Sequence, residues 1–573
     1  MEIQNEDTLD GCDVQLEQDL ADIKNRIQNM QNASWTQTLT SDNHVVETIG
    51  TSDDDYKSLI REKLREAWRK MHKAESSANK TDSTVNTTAS ILHETDSTVN
   101  KAEFIEFSPL QEQVASPMLS HHDVYHLCAT QIEERQRQEI YCLHILNNVL
   151  QQRARVVRNN ERLAEGADVE ARDQGFTRPR ILILVPFRNT ALDIVRVLGS
   201  LWQSTGGQVD NQKRLLDEFG PPEEDSPSAN KPADYLHTFR HNIDDCFRFG
   251  IKCTRKSMKL FCDFYSSDII VASPLGLRFI IDGQSETKKI NLGQGRSKKK
   301  RIVKKGDSDF LSSIQMLIVE QADVISMQNW EHLLHVVAHL NKLPKGAHGC
   351  DFSRVQNHFL DELAAHTRQN IVFSEFEFPE LNGFLKGLGN CMGKWKYTVA
   401  SQGGLLKKGK QALPQFHLID AASHDLIPSA RFAYFTENIL PKYAHSASHV
   451  CIFISSYLDF VQVREHLQQL ELAHVVLSEY SSQQEISTAR TTFFNGKARF
   501  LLVSERFHFF KRYSIRGIRK LIYYSLPEHA AYYEDWCEML KDKTDVPILV
   551  SKYDYLKAER IVGTKKMSSL FQS

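Results

Sequence analysis

The sequence predicts an α/β protein of two tandem lobes, each a parallel sheet with helices on its faces. Three observations predict it. Short apolar runs end abruptly in small hydroxyl or carboxylate residues, the pattern of buried parallel strands whose tips carry a site. Segments with helical periodicity follow these runs. The strand–turn–helix unit recurs in two series, with a glycine-rich interruption over 383–409 between them.

Residues 1–119 read as a disordered acidic tail of low complexity. They are rich in Asp, Asn, Ser, Thr and Gln, and Thr-Asp-Ser-Thr-Val-Asn occurs twice, at 81–86 and 95–100. Within the tail, Leu59, Ile60, Leu64 and Trp68 have helical spacing, which gives an amphipathic helix over Tyr56–Met71, either transient or a docking peptide. Residues 1–60 hold thirteen Asp and Glu against three Lys and Arg, a net of −10. With −3 for the whole chain, the remainder carries +7, a balance suited to work beside nucleic acid or simply to a solvated tail.

The first lobe is expected over 120–400. Ser120–Leu163 reads as one or two helices with an apolar stripe through Leu143, Leu146 and Leu150. Arg180–Pro186 is a strand, with Arg188 and Asn189 in its turn and a helix from Ala191. A long polar insertion covers 203–232. Ser267–Ser273 is a second strand, Ile314–Val319 a third and Gln369–Ser374 a fourth. The third ends in Glu320, Gln321, Ala322 and Asp323, and ligands in open α/β sheets bind at such tips. The second lobe, 401–573, has strands at 449–455, 474–477, 498–505, 520–527 and 547–551.

Ten cysteines are scattered without a Cys-x-x-Cys pair, which argues for reduced thiols and against a zinc module. No apolar run is long enough to span a membrane, and the N-terminus lacks the basic and apolar regions of a secretory signal. His332, His335 and His339 share one side of a helix; exposed histidines on a solvated face account for them better than a zinc site, and no metal is expected.

Taken together, several segments resemble a known family. They are Arg172–Arg180, Val185–Arg188, Ser267–Arg278, Glu320–Val324, Met327–His332, His348–Arg354, Ser504–Phe509, Ile515–Arg519 and Ser551–Asp554. The lobes resemble the paired RecA-like domains of DEAD-box helicases, and more closely the digestive organ expansion factor, or U3 small nucleolar RNA-associated protein 25, family. The resemblance covers about 120–560. It implies two P-loop-NTPase-like lobes, a nucleolar place in the small-subunit processome, and partners among its proteins, pre-rRNA and U3 small nucleolar RNA.

The resemblance also sets a test for ATP hydrolysis. Where helicases have Asp-Glu-Ala-Asp, this chain has Glu320-Gln321-Ala322-Asp323, and the neutral Gln321 cannot act as a base. The first letter is commonly Asp in the family. No Gly-rich loop ending in Lys-Ser/Thr precedes Arg180. Gly404–Lys410 mimics the start of one, but Gln411 follows and the order is wrong. Leu526–Trp536, where a transition-state arginine belongs, has none. A non-catalytic protein without cofactor is therefore expected. The rivals are an active but degenerate ATP-dependent helicase and a scaffold that binds only proteins.

RNA contact is expected at the strand-tip turns and along a basic–aromatic stretch: Arg188, Ser273, Arg278, Ser504, Arg506, Arg512, Arg516 and Arg519. Lys298, Lys299, Lys300, Arg301, Lys304 and Lys305, read as a loop, are a candidate nuclear localisation signal.

Overall fold

The computed structural model describes residues 20–39, 44–50, 55–81, 105–166, 170–221, 230–283, 285–291, 297–303, 305–401, 403, 412–445 and 448–571. The chain forms two compact units. One takes in residues up to 228, Leu236–Phe376 and Leu381–Thr398; the other takes in residues 229–235, Glu377–Glu380 and Val399–Ser573.

The first unit is built on one mixed sheet. In chain order its strands are β1 (Thr36–Leu39), β2 (His44–Ile49), β3 (Asp123–His126), β4 (Ile181–Leu184), β5 (Gln208–Asp210), β6 (Arg248–Cys253), β7 (Ser257–Cys262), β8 (Ile269–Ala272) and, beyond a separate hairpin, β11 (Met316–Val319), β12 (Gln369–Phe373) and β13 (Lys394–Val399). The hairpin pairs β9 (Ser285–Asn291) with β10 (Ser297–Val303) antiparallel. The sheet order is β1-β2-β13-β3-β12-β11-β4-β8-β6-β7-β5.

Its centre is parallel. Met316 pairs with Gln369 and Ile181, Ile371 with Val124, Ile181 with Ile269, and Lys394 with Asp123. The tips of β3, β12, β11, β4 and β8 therefore share one edge. β4, β8, β11 and β12 are buried along their whole length, as central parallel strands with apolar runs must be.

Two expectations change here. Asp123–His126 is strand β3 rather than part of a helix, because Val124 and Tyr125 fill a central sheet position with helices on both faces. The glycine-rich connection at 383–409 contains helix Pro379–Gly387 and β13, so the first sheet runs further than the glycines imply.

The disordered tail also needs correction. Residues 20–39, 44–50, 55–81 and 105–119 carry helices and strands. Helix Glu62–Thr81 presents Leu64, Trp68 and Met71, with Ile60 just before it, to the same core as β4 and helix Arg188–Ser204. Trp68 is 2% exposed and donates its indole N–H to the Glu106 carbonyl at 3.2 Å. Burying such a ring contributes about 2–3 kcal/mol, and the core supplies the partner that the helix lacks in isolation. Helix Pro109–Leu119 starts with a capping box between Ser108 and Gln111 and a proline at its first turn. The first nineteen residues and both copies of the repeated hexapeptide, apart from Thr81, lie outside the described residues.

The second unit has β14 (Ala412–Ile419), β15 (Val450–Ile454), β16 (His474–Leu477), β17 (Phe500–Ser504), β18 (Lys520–Tyr523) and β19 (Thr544–Ser551), in the order β14-β19-β18-β15-β17-β16. Every pairing is parallel. Its core gathers Ile452, Phe460, Leu467, Leu502, Ile522 and Leu549. Among the described residues no helix is long and apolar enough to cross a membrane.

Candidate functional site

The strand tips of the first unit meet at one chamber. It is lined by Ala129, Glu134, Arg137, Glu320, Gln321, Asp323 and Ser374, among others, and holds about 20 Å³, room for about one water. The strand that should feed a phosphate loop is β3. The segment after it, Leu127-Cys-Ala-Thr-Gln-Ile-Glu133, has neither glycine nor lysine. It runs into helix Glu134–Ala164, and its Thr130 carbonyl accepts from the buried Arg137 guanidinium at 2.7 Å. Arg137 also lies over the Phe373 ring, 5.8 Å from its centre. A cation is present, but it is bound to the loop's own backbone.

Each letter of Glu320-Gln321-Ala322-Asp323 has a local task. Glu320 is completely buried, and neither of its oxygens has a hydrogen-bond partner. The Tyr141 hydroxyl lies beside it, outside ordinary hydrogen-bond geometry, and still pulls the carboxyl down against burial. Burial pushes the Glu320 carboxyl up to about 8, against the opposing pull of Arg137, so it holds its proton at neutral pH. Gln321 adopts the left-handed conformation, φ +53°, at the turn into helix Ala322–Val337. Its amide links three elements: it accepts from Thr190 at 3.2 Å and donates to Glu134 at 3.2 Å. Asp323 accepts from the Glu375 backbone N–H at 2.9 Å and from Ser374, joining the tips of β11 and β12.

Glu134 closes the other side. Burial alone would raise its carboxyl, but His237 at 3.0 Å and Arg240 at 3.6 Å bring it below the usual range. The chamber is thus filled and cross-linked by its own side chains. A triphosphate with Mg²⁺ does not fit these residues: the volume is one water's, the loop offers no amide cradle, and the first carboxyl is protonated. Glu134, Arg137, Tyr141 and Thr190 escape the sequence reading. The signal for them is the short apolar run at Val124–Cys128 followed by a helix start, a fainter copy of the pattern seen at β4.

The expected RNA contacts divide into two groups. Those at the tips are already matched. Arg188 donates to the Glu218 carbonyl at 2.9 Å, pairs with Asp244 at 2.9 Å and stacks over Phe219. Arg278 reaches His332 at 2.8 Å and Asp282 at 3.3 Å. Ser273 and Ser504 are buried helix N-caps, accepting from the Gly276 and Phe507 N–H groups. Arg506 faces Glu479 at 3.7 Å. Arg512 is buried between Asp535 at 2.6 Å and Asp234 at 2.8 Å, with Tyr532 beneath it. The second group, Arg516 and Arg519, is exposed and lies at the opposite edge of its sheet, before β18.

The remaining candidates also find places. His335 pairs with Asp282 at 2.7 Å and His339 contacts the His335 carbonyl, so the three histidines join helix Pro274–Ile281 to helix Ala322–Val337. Among the described residues no group of three or more potential ligands could hold a metal ion. Lys298–Arg301 lie on β10 rather than in a loop, because the flanking segment Ser285–Asn291 supplies a partner for every backbone position from Ser297 to Val303. Lys304 and Gly404–Lys410 are outside the described residues.

The fold and this chamber define an NTP-hydrolase-like α/β protein. Residues 121–395 match the family model described as UTP25, NTP hydrolase-like domain, and residues 406–573 match Utp25, C-terminal domain. The chain belongs to the U3 small nucleolar RNA-associated protein 25 family. It is 41% identical over 485 residues to the Xenopus tropicalis homologue, covering 82% of this chain and 61% of that one. It is 38% identical to the human homologue over 82% of this chain and 62% of that one. The Phaeosphaeria nodorum protein is 39% identical over 81% and 69% of the two chains. The chain thus spans about three fifths of the length of the vertebrate relatives it matches. Among solved structures, the yeast DEAD-box splicing factor Prp28 aligns over 97% of this chain and 95% of its own at 10% identity, with a TM-score of 0.31.

Proposed function

We propose that this chain is a non-catalytic component of the nucleolar small-subunit processome. In this reading it supports pre-rRNA processing by holding RNA and partner proteins in place. The names of its relatives support the association with U3 small nucleolar RNA. The non-catalytic part is carried by one observation: the chamber where a nucleotide belongs is occupied by Arg137, Glu320 and Gln321 and has about 20 Å³ left. Without a nucleotide cycle, the protein acts as a fixed holder. Its partners are pre-rRNA or U3 small nucleolar RNA and other processome proteins. The basic strand around Lys298–Arg301, with Lys304 and Lys305, serves nuclear import.

The test is an ATPase assay with and without RNA, together with titration of Mg-ATP into the full chain. The expected result is no RNA-stimulated turnover and no saturable binding at millimolar nucleotide. RNA-stimulated turnover abolished by Glu320→Ala would overturn the reading and restore the helicase alternative.

A further inference from the structure

The N-terminal edge of the second sheet is a surface of a different kind from the strand tips. Four segments converge there: His449 ahead of β15, Gly496–Arg499 ahead of β17, Ile515–Arg519 ahead of β18 and Lys541–Lys543 ahead of β19. Backbone hydrogen bonds hold them together. The Arg519 N–H donates to the His449 carbonyl at 3.1 Å, the Val450 N–H to the Arg499 carbonyl at 3.0 Å and the Lys541 N–H to the Ile518 carbonyl at 3.1 Å.

The edge is cationic. Lys497, Arg516, Arg519, Lys541 and Lys543 are exposed and Arg499 is half-buried. Glu471, Glu538, Asp542 and Asp545 are carboxylates on or beside the same edge, so the six cations outnumber these four. None of the three arginine side chains is engaged in an ion pair among the described residues, whereas every arginine at the tips is.

An aromatic platform stands among these charges. Helix Gln483–Phe494 ends with Phe493 buried and Phe494 57% exposed. The His449 ring approaches the Phe494 carbonyl at 3.3 Å. Gly517, at φ +93°, passes so close that a Cβ there would lie 3.2 Å from the Phe494 ring and 3.7 Å from the His449 ring. Only glycine takes this backbone conformation without strain, and a side chain there would crowd the Phe494 ring. The exposed Phe494 ring offers a surface on which a base can stack, with the arginines of the same edge free to meet phosphates.

We propose that this edge binds single-stranded RNA, with phosphates along Arg499, Arg516 and Arg519 and a base stacked on Phe494. The proposal rests on the RNA-holding reading above and relocates the contact from the strand tips to the opposite edge. Recognition is by backbone charge and stacking, so it tolerates sequence.

The experiment is fluorescence anisotropy of the full chain with a labelled oligouridine of about twelve nucleotides across a salt series. Arg499→Ala, Arg516→Ala and Arg519→Ala combined are expected to weaken binding at least about tenfold and to flatten the slope of log K against log salt by about 2. Phe494→Leu is expected to cost about five- to a hundredfold, and Phe494→Trp to restore binding. Arg516, Arg519 and Phe494 are exposed and Arg499 is half-buried, so thermal midpoints should stay within a few degrees of wild type, which separates binding from folding. If wild type binds and both the triple variant and Phe494→Leu bind equally well, the edge is overturned while the RNA-holding reading stands. Loss confined to Arg188→Ala, Arg278→Ala and Arg506→Ala would return the contact to the tips. If wild type shows no salt-dependent binding even at low salt, both readings fall.

Discussion

Glu320 and Glu505 occupy the same position in two sheets, and their environments differ. Each is the first residue after a central parallel strand, β11 or β17, and each is buried. Burial pushes both carboxyls up to about 8, with Glu528 adding to the rise at Glu505. Glu505 is used: it accepts from the Glu528 N–H at 2.7 Å and the His529 N–H at 3.4 Å, fixing the turn after β18. Glu320 has only the Tyr141 hydroxyl beside it, outside ordinary hydrogen-bond geometry. The fold rebuilt one tip into a structural staple and left the other with a carboxyl that costs stability.

Glu505→Ala breaks this comparison most directly. It orphans two backbone N–H groups and opens a cavity, so a loss of about 2–4 kcal/mol is expected in denaturant unfolding. A loss below about 0.5 kcal/mol would show that the staple holds nothing.

Glu320→Gln sharpens the comparison in the other direction. Because the folded-state value is raised, the native protein binds the extra proton between the ordinary carboxylate range and about pH 8. Stability therefore falls with rising pH across that window, by about 1.4 kcal/mol per unit for one group, and the neutral amide is exempt. The variant should gain in thermal midpoint relative to wild type as pH rises from 5 to 8. A difference independent of pH would show that Glu320 is not held protonated.

The smallest effect is expected from Gln321→Glu, which restores the helicase letter. It removes the donor to Glu134 and sets a second carboxylate beside it, costing about 1–2 kcal/mol. It should not confer ATPase activity, because the loop after β3 still lacks a phosphate cradle. Measurable RNA-stimulated turnover in this variant would mean that the chamber opens.

How much of this could be read in advance follows from range. β4, β8, β11 and β12 were legible because a buried strand announces itself in four or five consecutive letters. β3 was not, since His121, His122 and Asp123 dilute its apolar run at one end. The tip arginines looked free in the sequence because their partners are distant: Arg188 meets Asp244 and Arg512 meets Asp234. Nothing in the sequence separates Phe494 from Phe493 beside it. Only the end of its helix and the closeness of Gly517 put it at the surface.

The sequence by itself determined the parallel strands at the centre of both sheets, the absence of a Gly-rich phosphate loop before Arg180, and the neutral residue at position 321. These are local properties, written in consecutive residues whose chemistry does not depend on context. Tertiary structure alone decided that Tyr56–Met71 belongs to a core, that most of the expected RNA-binding arginines are already paired, and that Glu320 is an orphan. Burial and pairing are properties of the neighbours, and a residue's neighbours are set by crossovers spanning tens to hundreds of positions.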